Sequence, residues 1–226
     1  MDKLTIPPIL IISLLNSKRR EIISHRLSGL GFEFQFIDAI YGKNLSAEEL
    51  SKVDYEFYKQ YNAKPLTLGE IGCAASHIKT YEYMIEHHIQ QAIILEDDVI
   101  VSQNFEFIIY DILQKISSKN DIVFLDHGKV KKYPFPKKLF QGYKLARYRS
   151  PSKNSKRCII CAAAYMLTLS GAQKLLDYAY PIRMPADYLT GLIQKTGLAA
   201  YGVEPPCVFQ GLGSDSEINK IEDRYV

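Results

Sequence analysis

The 226-residue sequence predicts an α/β fold with a mostly parallel central sheet flanked by helices. Two continuous apolar runs, ILIISLL at 9–15 and AIIL at 92–95, are typical of strands buried on both faces. A helical spacing of apolar residues over 17–31 follows the first run, and the alternating stretch FEFQFID at 32–38 follows that helix. A strand–helix–strand unit of this length implies a parallel pair with a right-handed crossover.

Length and composition favour one domain spanning residues 1–226. Hydrophobic residues make up 47% and charged residues 23% of the chain, so it can bury a core without disulfides. Cys158 and Cys161 form a C-x-x-C pair, but no second pair follows at zinc spacing, which favours a buried apolar segment in a reducing compartment.

The run ILIISLL is short and leads directly into charged residues, so we interpret it as a strand and not as a targeting segment. No apolar run is long enough to span a bilayer. We therefore expect a cytoplasmic protein that can attach peripherally to the inner face of the cell membrane.

The middle of the chain continues the alternation of helices and strands. Ser46 and Glu49 form a capping box that starts a helix predicted to run to about Lys59. The pattern then predicts an amphipathic helix, the strand AIIL, a further helix and a further strand, over residues 68–88, 92–95, 105–118 and 121–128.

The last third of the chain predicts a strand at 158–170 and a helix from 171 that Ser170 caps. A short helix at 185–197 is entered through Pro185 and Asp187, and the rest is extended and rich in Gly and Pro.

Polar residues follow two of the predicted strands. Glu96, Asp97 and Asp98 follow AIIL, and Asp126 and His127 end the strand at 121–128. Ligands of open α/β sheets bind in the crevice beyond the carboxyl ends of the strands, so both clusters are candidate site residues.

Three adjacent carboxylates repel one another unless a cation binds among them. A hard divalent cation, Mn²⁺ or Mg²⁺, prefers oxygen ligands and commonly shares them with phosphates. On an extended segment Glu96 and Asp98 point the same way, so both could face one ligand while Asp97 faces the other side or takes a hydrogen bond. The alternative is a solvated turn after a strand.

Six stretches in order resemble those of one family, the family 25 glycosyltransferases, which includes bacterial lipooligosaccharide galactosyltransferases and collagen galactosyltransferases. They are ISLLNSKRR (12–20), LTLGEIGCAASHIKTYEYM (66–84), AIILEDDVIVS (92–102), AAYMLTLSGAQKLL (163–176), MPADYL (184–189) and PPCVFQ (205–210) with SDSEI (214–218).

The resemblance implies a GT-A-like nucleotide-sugar-binding fold, a UDP-sugar donor (most often UDP-galactose), a divalent metal and inversion at the anomeric carbon. It implies that Asp98 binds the metal and that Glu96 contacts the donor ribose or the metal's water shell. Arg19 or Arg20 would contact the nucleotide or its phosphate, although either residue could instead lie on a solvated helix face.

Inversion needs a base for the acceptor hydroxyl. Asp187 is the candidate, with Asp126 as its competitor and a helix N-cap as the alternative role of Asp187. Glu70 and His77 lie seven residues apart on one helix face and are expected to line the site. Their alternatives are a cap of the helix start for Glu70 and a satisfied, packed histidine for His77.

Residues 129–157 hold 11 of the 28 Lys and Arg and no Asp or Glu, leaving 17 basic and all 25 acidic residues for the rest of the chain. We refer to 129–157 as the basic segment. It is either a solubilising surface loop or a lid that meets anionic lipid or a phosphorylated saccharide acceptor. No nucleic-acid-binding pattern accompanies it.

The sequence thus predicts a metal-dependent sugar transferase acting on a saccharide acceptor, expected to be lipid-linked, in lipooligosaccharide or lipopolysaccharide biosynthesis. Two rivals remain: a metal-dependent phosphohydrolase on a similar sheet, and a non-enzymatic basic module that binds carbohydrate or lipid. No nucleophile motif surrounds the acidic triplet, which disfavours the first rival.

Overall fold

The computed structural model describes residues 5–61, 64–128 and 130–211 of the chain, so the SDSEI stretch lies outside the described residues. Its strands are β1 (Ile9–Ser13), β2 (Phe34–Asp38), β3 (Gln91–Glu96), β4 (Val99–Val101), β5 (Ile122–Phe124), β6 (Lys137–Lys138), β7 (Lys144–Arg147), β8 (Ala164–Thr168), β9 (Ala200–Glu204) and β10 (Val208–Gln210). Its helices are α1 (Arg19–Gly29), α2 (Ala47–Ser51), α3 (Leu68–Glu86), α4 (Phe105–Lys115), α5 (Leu169–Ala179), α6 (Ala186–Gly191) and α7 (Ile193–Thr196). Short 3-10 helices lie at Gly42–Asn44, Phe57–Tyr61 and Phe140–Gly142.

One mixed sheet of eight strands, in the order β2-β1-β3-β8-β5-β9-β7-β6, organises the described residues. β1 is parallel to β2 and β3, and β5 is parallel to β9, whereas β8 and β7 are antiparallel to their neighbours. Six of these eight strands therefore run in one direction, and the predicted α/β class is confirmed. The carboxyl ends of β1, β3 and β5 consequently lie at the same edge of the sheet.

The first strand explains the continuous apolar run of the sequence. Leu10 and Ile12 enter the core on one face of the sheet, and Ile9 and Ile11 enter the core on the other. A strand buried on both faces has no solvent side on which to place polar residues. Helices α3 and α5 cover the first face, and α1 and α4 cover the second.

Helix α3 begins at a capping box. The Thr67 amide donates to Glu70 Oε2 over 2.9 Å, and the Glu70 amide donates to Thr67 Oγ1 over 3.2 Å. The predicted amphipathic character is present, since Ile71, Ile78 and Tyr81 are each 1% exposed or less. The helix ends two residues before the predicted bound of 88, so that His88 lies beyond it and is exposed.

The helix predicted from Ser46 to about Lys59 is much shorter than expected. The capping box of Ser46 and Glu49 is present, but α2 ends at Ser51. The chain then pairs with a distant residue, since the Asp54 amide donates to the Ile182 carbonyl over 2.7 Å. Tertiary pairing therefore replaces the last helical turns.

Two expectations for the last third of the chain are also corrected. The predicted strand at 158–170 begins only at Ala164, because the preceding residues turn towards α6, where the Ile159 amide donates to the Gly191 carbonyl. Thr168, not Ser170, caps α5 by accepting from the Gly171 amide over 3.0 Å. Ser170 instead donates to the carboxylate of Asp121.

The described part of the basic segment contains both sheet and loop. β7 pairs with β9, and β6 pairs with β7, so the segment supplies the last two strands at one edge of the sheet. Tyr148, directly after β7, is buried, whereas most of the Lys and Arg side chains of the basic segment are exposed.

Among the described residues, no helix is both long enough and apolar enough to cross a membrane.

Candidate active site

The carboxyl ends of β3 and β5 are tied to the start of the intervening antiparallel strand β8. The Glu96 amide donates to the Ala163 carbonyl over 2.8 Å, and the Asp126 amide donates to the Ala164 carbonyl over 3.2 Å. The two predicted polar clusters therefore lie at one sheet edge, as the sequence predicted, with β8 between them.

The acidic triplet is not uniformly extended. Glu96 is the last residue of β3, and Asp97 and Asp98 form the turn that leads into β4. The strand alternation expected to align Glu96 with Asp98 therefore stops at Glu96. Each of the three carboxylates has different surroundings.

Asp97 is held by the protein. The Ser13 hydroxyl at the end of β1 donates to Asp97 Oδ2 over 2.6 Å, and Arg19 Nη1 lies 3.5 Å from Asp97 Oδ1. These contacts join the acidic turn to β1 and to the first residue of α1. Ser13 was not predicted as a site residue, because a serine in an apolar run gives no local signal.

Asp98 is the carboxylate with unmet bonding capacity. Its Oδ2 lies 3.6 Å from Arg19 Nη1, whereas its Oδ1 is buried and has no hydrogen-bond partner among the described residues. Burial raises the pKa of Asp98 to about 6, with a further increase from Glu96 that the charge of Arg19 opposes.

The surroundings of Asp98 fit a divalent metal. A buried carboxylate oxygen without a donor costs free energy unless a proton or a cation compensates it. Oxygen is the ligand atom that Mn²⁺ and Mg²⁺ prefer. The carboxylate of Asp98 is therefore a suitable ligand at this position, and Glu96, whose charge raises the pKa of Asp98, is the second candidate.

Glu96 points towards α3 and joins a buried hydrogen-bonded chain. His77 Nε2 lies 3.3 Å from Glu96 Oε1, His77 Nδ1 lies 2.7 Å from the Tyr165 hydroxyl, and the hydroxyls of Tyr165 and Tyr81 are 2.9 Å apart. A carboxylate only accepts, so Nε2 carries a hydrogen in this arrangement. Burial on its own would raise the pKa of Glu96, but the hydrogen bond and charge of His77, together with smaller effects of Cys73 and Arg19, lower it.

His77 is fully buried, which matches the alternative interpretation of a satisfied, packed histidine. It reaches the site through Glu96. Cys73 lies one helical turn before His77 on α3, and the Cys73 thiol is 3.8 Å from Glu96 Oε1. Cys73, His77 and Glu96 place candidate metal-ligand atoms within 4.8 Å of one another. Burial raises the pKa of the Cys73 thiol well above its usual range, so the thiol is protonated when no metal is bound.

Asp187 lies in the first turn of α6, whose N-cap is Pro185, so Asp187 does not have the N-cap role considered as its alternative. Burial raises the pKa of Asp187, and the charges of Glu70 and Glu96 raise it further, while the Tyr188 amide acts in the opposite direction. Asp187 therefore feels the charges of the predicted wall residue Glu70 and of Glu96. Glu70 also caps α3, as its alternative proposed.

The two arginines after β1 have different surroundings. Arg20 donates to the carbonyls of Ser13 and Leu14 over 2.8 and 3.0 Å and forms an ion pair with Asp38. It therefore ties the ends of β1 and β2 together. Arg19 is the arginine that faces the acidic turn.

The second polar cluster is held largely by its neighbours. The Cys161 thiol donates to Asp126 Oδ2 over 3.1 Å. His127 Nε2 lies 2.9 Å from the Val203 carbonyl and 2.7 Å from the Tyr148 hydroxyl. Burial raises the pKa of Cys161, with smaller increases from the charges of Asp126 and Glu96.

The fold and the site together define a GT-A-like α/β domain with an acidic crevice at its strand ends. The sequence model of the family described as "Glycosyltransferase family 25 (LPS biosynthesis protein)" matches residues 6–190, and the chain belongs to this family.

Curated relatives of this chain include animal proteins. Procollagen galactosyltransferase 1 of Danio rerio is 24% identical over 261 residues, covering 98% of this chain and 40% of that protein. Procollagen galactosyltransferase 2 of Homo sapiens is 27% identical over 216 residues, covering 88% of this chain and 32% of that protein. A Bos taurus protein named "probable inactive glycosyltransferase 25 family member 3" is 25% identical over 196 residues, covering 82% of this chain and 31% of that protein. The chain spans less than half the length of these relatives.

Proposed function

We propose that this protein is a metal-dependent, inverting glycosyltransferase that moves galactose from UDP-galactose to a saccharide acceptor in lipooligosaccharide or lipopolysaccharide biosynthesis. Family membership supports sugar transfer, and the names of the procollagen galactosyltransferases support galactose. The observation that carries the proposal is the buried Oδ1 of Asp98, which lies at the strand ends in a carboxylate beside Arg19 and has no hydrogen-bond partner within residues 5–61, 64–128 and 130–211.

Asp98 and Glu96 would hold the metal, Mn²⁺ or Mg²⁺. When bound, the metal supplies Lewis-acid chemistry, neutralising the negative charge that grows on the departing UDP. Asp97 contributes indirectly, because its hydrogen bond from Ser13 fixes the turn that carries Asp98.

Arg19 supplies the permanent positive charge of the crevice. Its guanidinium already lies within 3.6 Å of two carboxylates, and a guanidinium also matches the geometry of phosphate oxygens. We assign Arg19 to binding of the donor diphosphate.

Asp187 is the proposed base. The acceptor hydroxyl attacks the anomeric carbon on the face opposite the leaving UDP and transfers its proton to the Asp187 carboxylate. The raised pKa of Asp187 increases its basicity, which favours this proton transfer.

The proposed acceptor is lipid-linked, and the proposed location is the cytoplasm with peripheral contact at the inner face of the cell membrane. The exposed Lys and Arg side chains of the basic segment support this proposal, since each basic residue near an anionic membrane contributes about 1 kcal/mol.

The test compares Asp98→Asn with Asp177→Asn, a matched change of an exposed aspartate on α5. Each purified protein is incubated with UDP-galactose, Mn²⁺ and a panel of saccharide acceptors, and UDP release and the saccharide product are measured. We expect product from the wild type and from Asp177→Asn, and none from a folded Asp98→Asn.

Transfer by Asp98→Asn at the wild-type rate would overturn the metal assignment. UDP binding by the wild type without transfer to any acceptor would favour a non-catalytic family member, a possibility raised by the name of the bovine relative.

A further inference from the structure

A basic pocket lies beside the helix that carries Asp187. Its volume is about 250 Å³, and its lining includes Lys131, Arg149, Ser150 and Arg157 from the basic segment, together with Cys158 and Gly191.

The pocket collects positive charge without acidic compensation. Lys131, Arg149 and Arg157 form no ion pair with any Asp or Glu that the structure describes. The basic segment itself contains no Asp or Glu. The Arg149 guanidinium carbon also lies 5.5 Å from the centroid of the Tyr133 ring, a contact that leaves its positive charge uncompensated by any carboxylate of the described residues. Three cationic residues lining one cavity favour an anionic ligand.

Hydrogen bonds of the backbone position the walls. The Arg149 amide donates to the Lys131 carbonyl over 2.9 Å, and Gln194 Nε2 on α7 donates to the Arg157 carbonyl over 2.9 Å. The backbone that carries Lys131, Arg149 and Arg157 is therefore held by hydrogen bonds.

Gly191 lets the chain approach α6 closely. A Cβ at this position would lie 1.9 Å from the Ile159 carbonyl oxygen and 2.7 Å from the Cys158 sulfur. Only glycine permits this contact, which places residues 157–159 against the helix and forms the floor of the pocket.

The pocket adjoins the proposed base. The Cys158 thiol, which lines the pocket, donates to the Asp187 carbonyl over 3.5 Å. Gly191 follows Asp187 by four residues on α6, which corresponds to about 6 Å along a helix. The pocket therefore lies within about 6 Å, measured along α6, of the residue that carries the proposed base.

We infer that this pocket binds an anionic substituent, a phosphate or a carboxylate, of the acceptor saccharide. Two arginines suit this task because the guanidinium fork matches the oxygens of both groups. The inference rests on the proposed function, since Asp187 marks the acceptor side only if it is the base. A concave site of this size fits a small anionic group better than it fits a flat membrane surface.

The test uses glucose 6-phosphate and glucuronate as anionic probes and glucose as the neutral probe. Calorimetric titrations in about 0.15 M salt limit long-range effects of net charge. The pocket variant is Arg149→Gln with Arg157→Gln. The matched control is Lys153→Gln with Lys156→Gln, which removes two charges from exposed positions of the same segment outside the pocket lining.

We expect the wild type to bind at least one anionic probe in preference to glucose, and the pocket variant to lose about tenfold or more of that affinity. The control should keep the affinity within about twofold. Equal losses in both double variants, or no preference for the anionic probes, would overturn the pocket. Vesicles of phosphatidylglycerol provide the membrane comparison. If the protein binds them, if glucose 6-phosphate does not compete, and if both double variants bind them equally weakly, the pocket proposal is overturned in favour of a membrane-binding surface.

A parallel titration with UDP and Mn²⁺ separates this inference from the proposed function. Unchanged UDP binding in the pocket variant, with lost probe binding, supports an acceptor-side site. Absence of UDP binding in the wild type, with probe preference retained, would reject the transferase and the acceptor as the pocket's ligand, and would leave a pocket that binds anions.

Discussion

His77 and Glu96 meet over 3.3 Å between Nε2 and Oε1, and this contact joins the interior of the protein to the acidic crevice. His77 is fully buried, whereas the Glu96 side chain is 27% exposed. Because His77 lowers the pKa of Glu96, a core residue sets the ionisation of a residue at the sheet edge.

Replacing His77 should therefore destabilise the fold as well as the site. His77→Phe removes the hydrogen bonds to Tyr165 and Glu96, and we expect the free energy of unfolding to fall by about 1–3 kcal/mol. Denaturant unfolding measures this loss. His25→Phe, a change at an exposed position of α1, is the control, and an equal loss in both variants would contradict a specific role for His77.

Asp98 should make the metal-free protein more stable in mild acid. Its pKa rises from 3.8 to about 6 on folding, so the folded state binds this proton more tightly than the unfolded state. The resulting stabilisation is complete below pH 3.8 and is lost as the pH rises through about 6. Two pKa units correspond to about 2–3 kcal/mol.

Unfolding of the wild type and of Asp98→Asn in the presence of a chelator, from pH 4 to pH 7, tests this prediction. The wild type should lose stability relative to Asp98→Asn as the pH rises. Asp177→Asn should show no such change relative to the wild type, and parallel curves for all three proteins would refute the shift.

Substitutions of Arg19 and of Arg20 should have different effects, the first on the binding of UDP and the second on the stability of the fold. Arg19→Gln removes the cation that faces Asp97 and Asp98, so we expect the affinity for UDP with Mn²⁺ to fall about tenfold. Arg20→Gln breaks two bonds to carbonyls at the end of β1, so its main effect should be a loss of about 1–3 kcal/mol in unfolding free energy. Titration calorimetry and denaturant unfolding on both variants check the division, and the reverse pattern would overturn the assignment of Arg19.

Asp187→Asn should remove catalysis without removing donor binding. Loss of a general base typically slows a reaction by about 10²–10⁴-fold, so we expect turnover to fall within that range while UDP affinity changes less than about twofold. Asp126→Asn is the comparison, because Asp126 is the competing base and its carboxylate accepts a hydrogen bond from Cys161. A larger turnover loss in Asp126→Asn would reassign the base.

Local patterns in the sequence predicted much of this fold. The capping box at Ser46, the buried strand β1 and the placement of Glu96 at the end of a strand each depend on neighbouring residues, and the structure confirms all three. The extent of α2 was wrong because it depends on pairing with Ile182, which lies more than a hundred residues away.

The candidate site was only partly predictable for the same reason. The acidic triplet was visible as charge at a strand end, but its three unequal environments come from Ser13, Arg19 and His77 on other elements. Tyr165 carried no site signal at all, because it is an aromatic residue in an apolar strand and joins His77 only after β8 inserts beside β3.

The start of β8 sets the separation between the two polar clusters. Glu96 and Asp126 donate their amides to the carbonyls of consecutive residues, Ala163 and Ala164. Two strand spacings, about 10 Å, therefore separate the acidic turn from the second polar cluster. The main chain of Ala163 and Ala164 sets this distance. Substitutions of side chains on either helical layer can therefore alter what binds between the two clusters while the distance between the clusters stays constant.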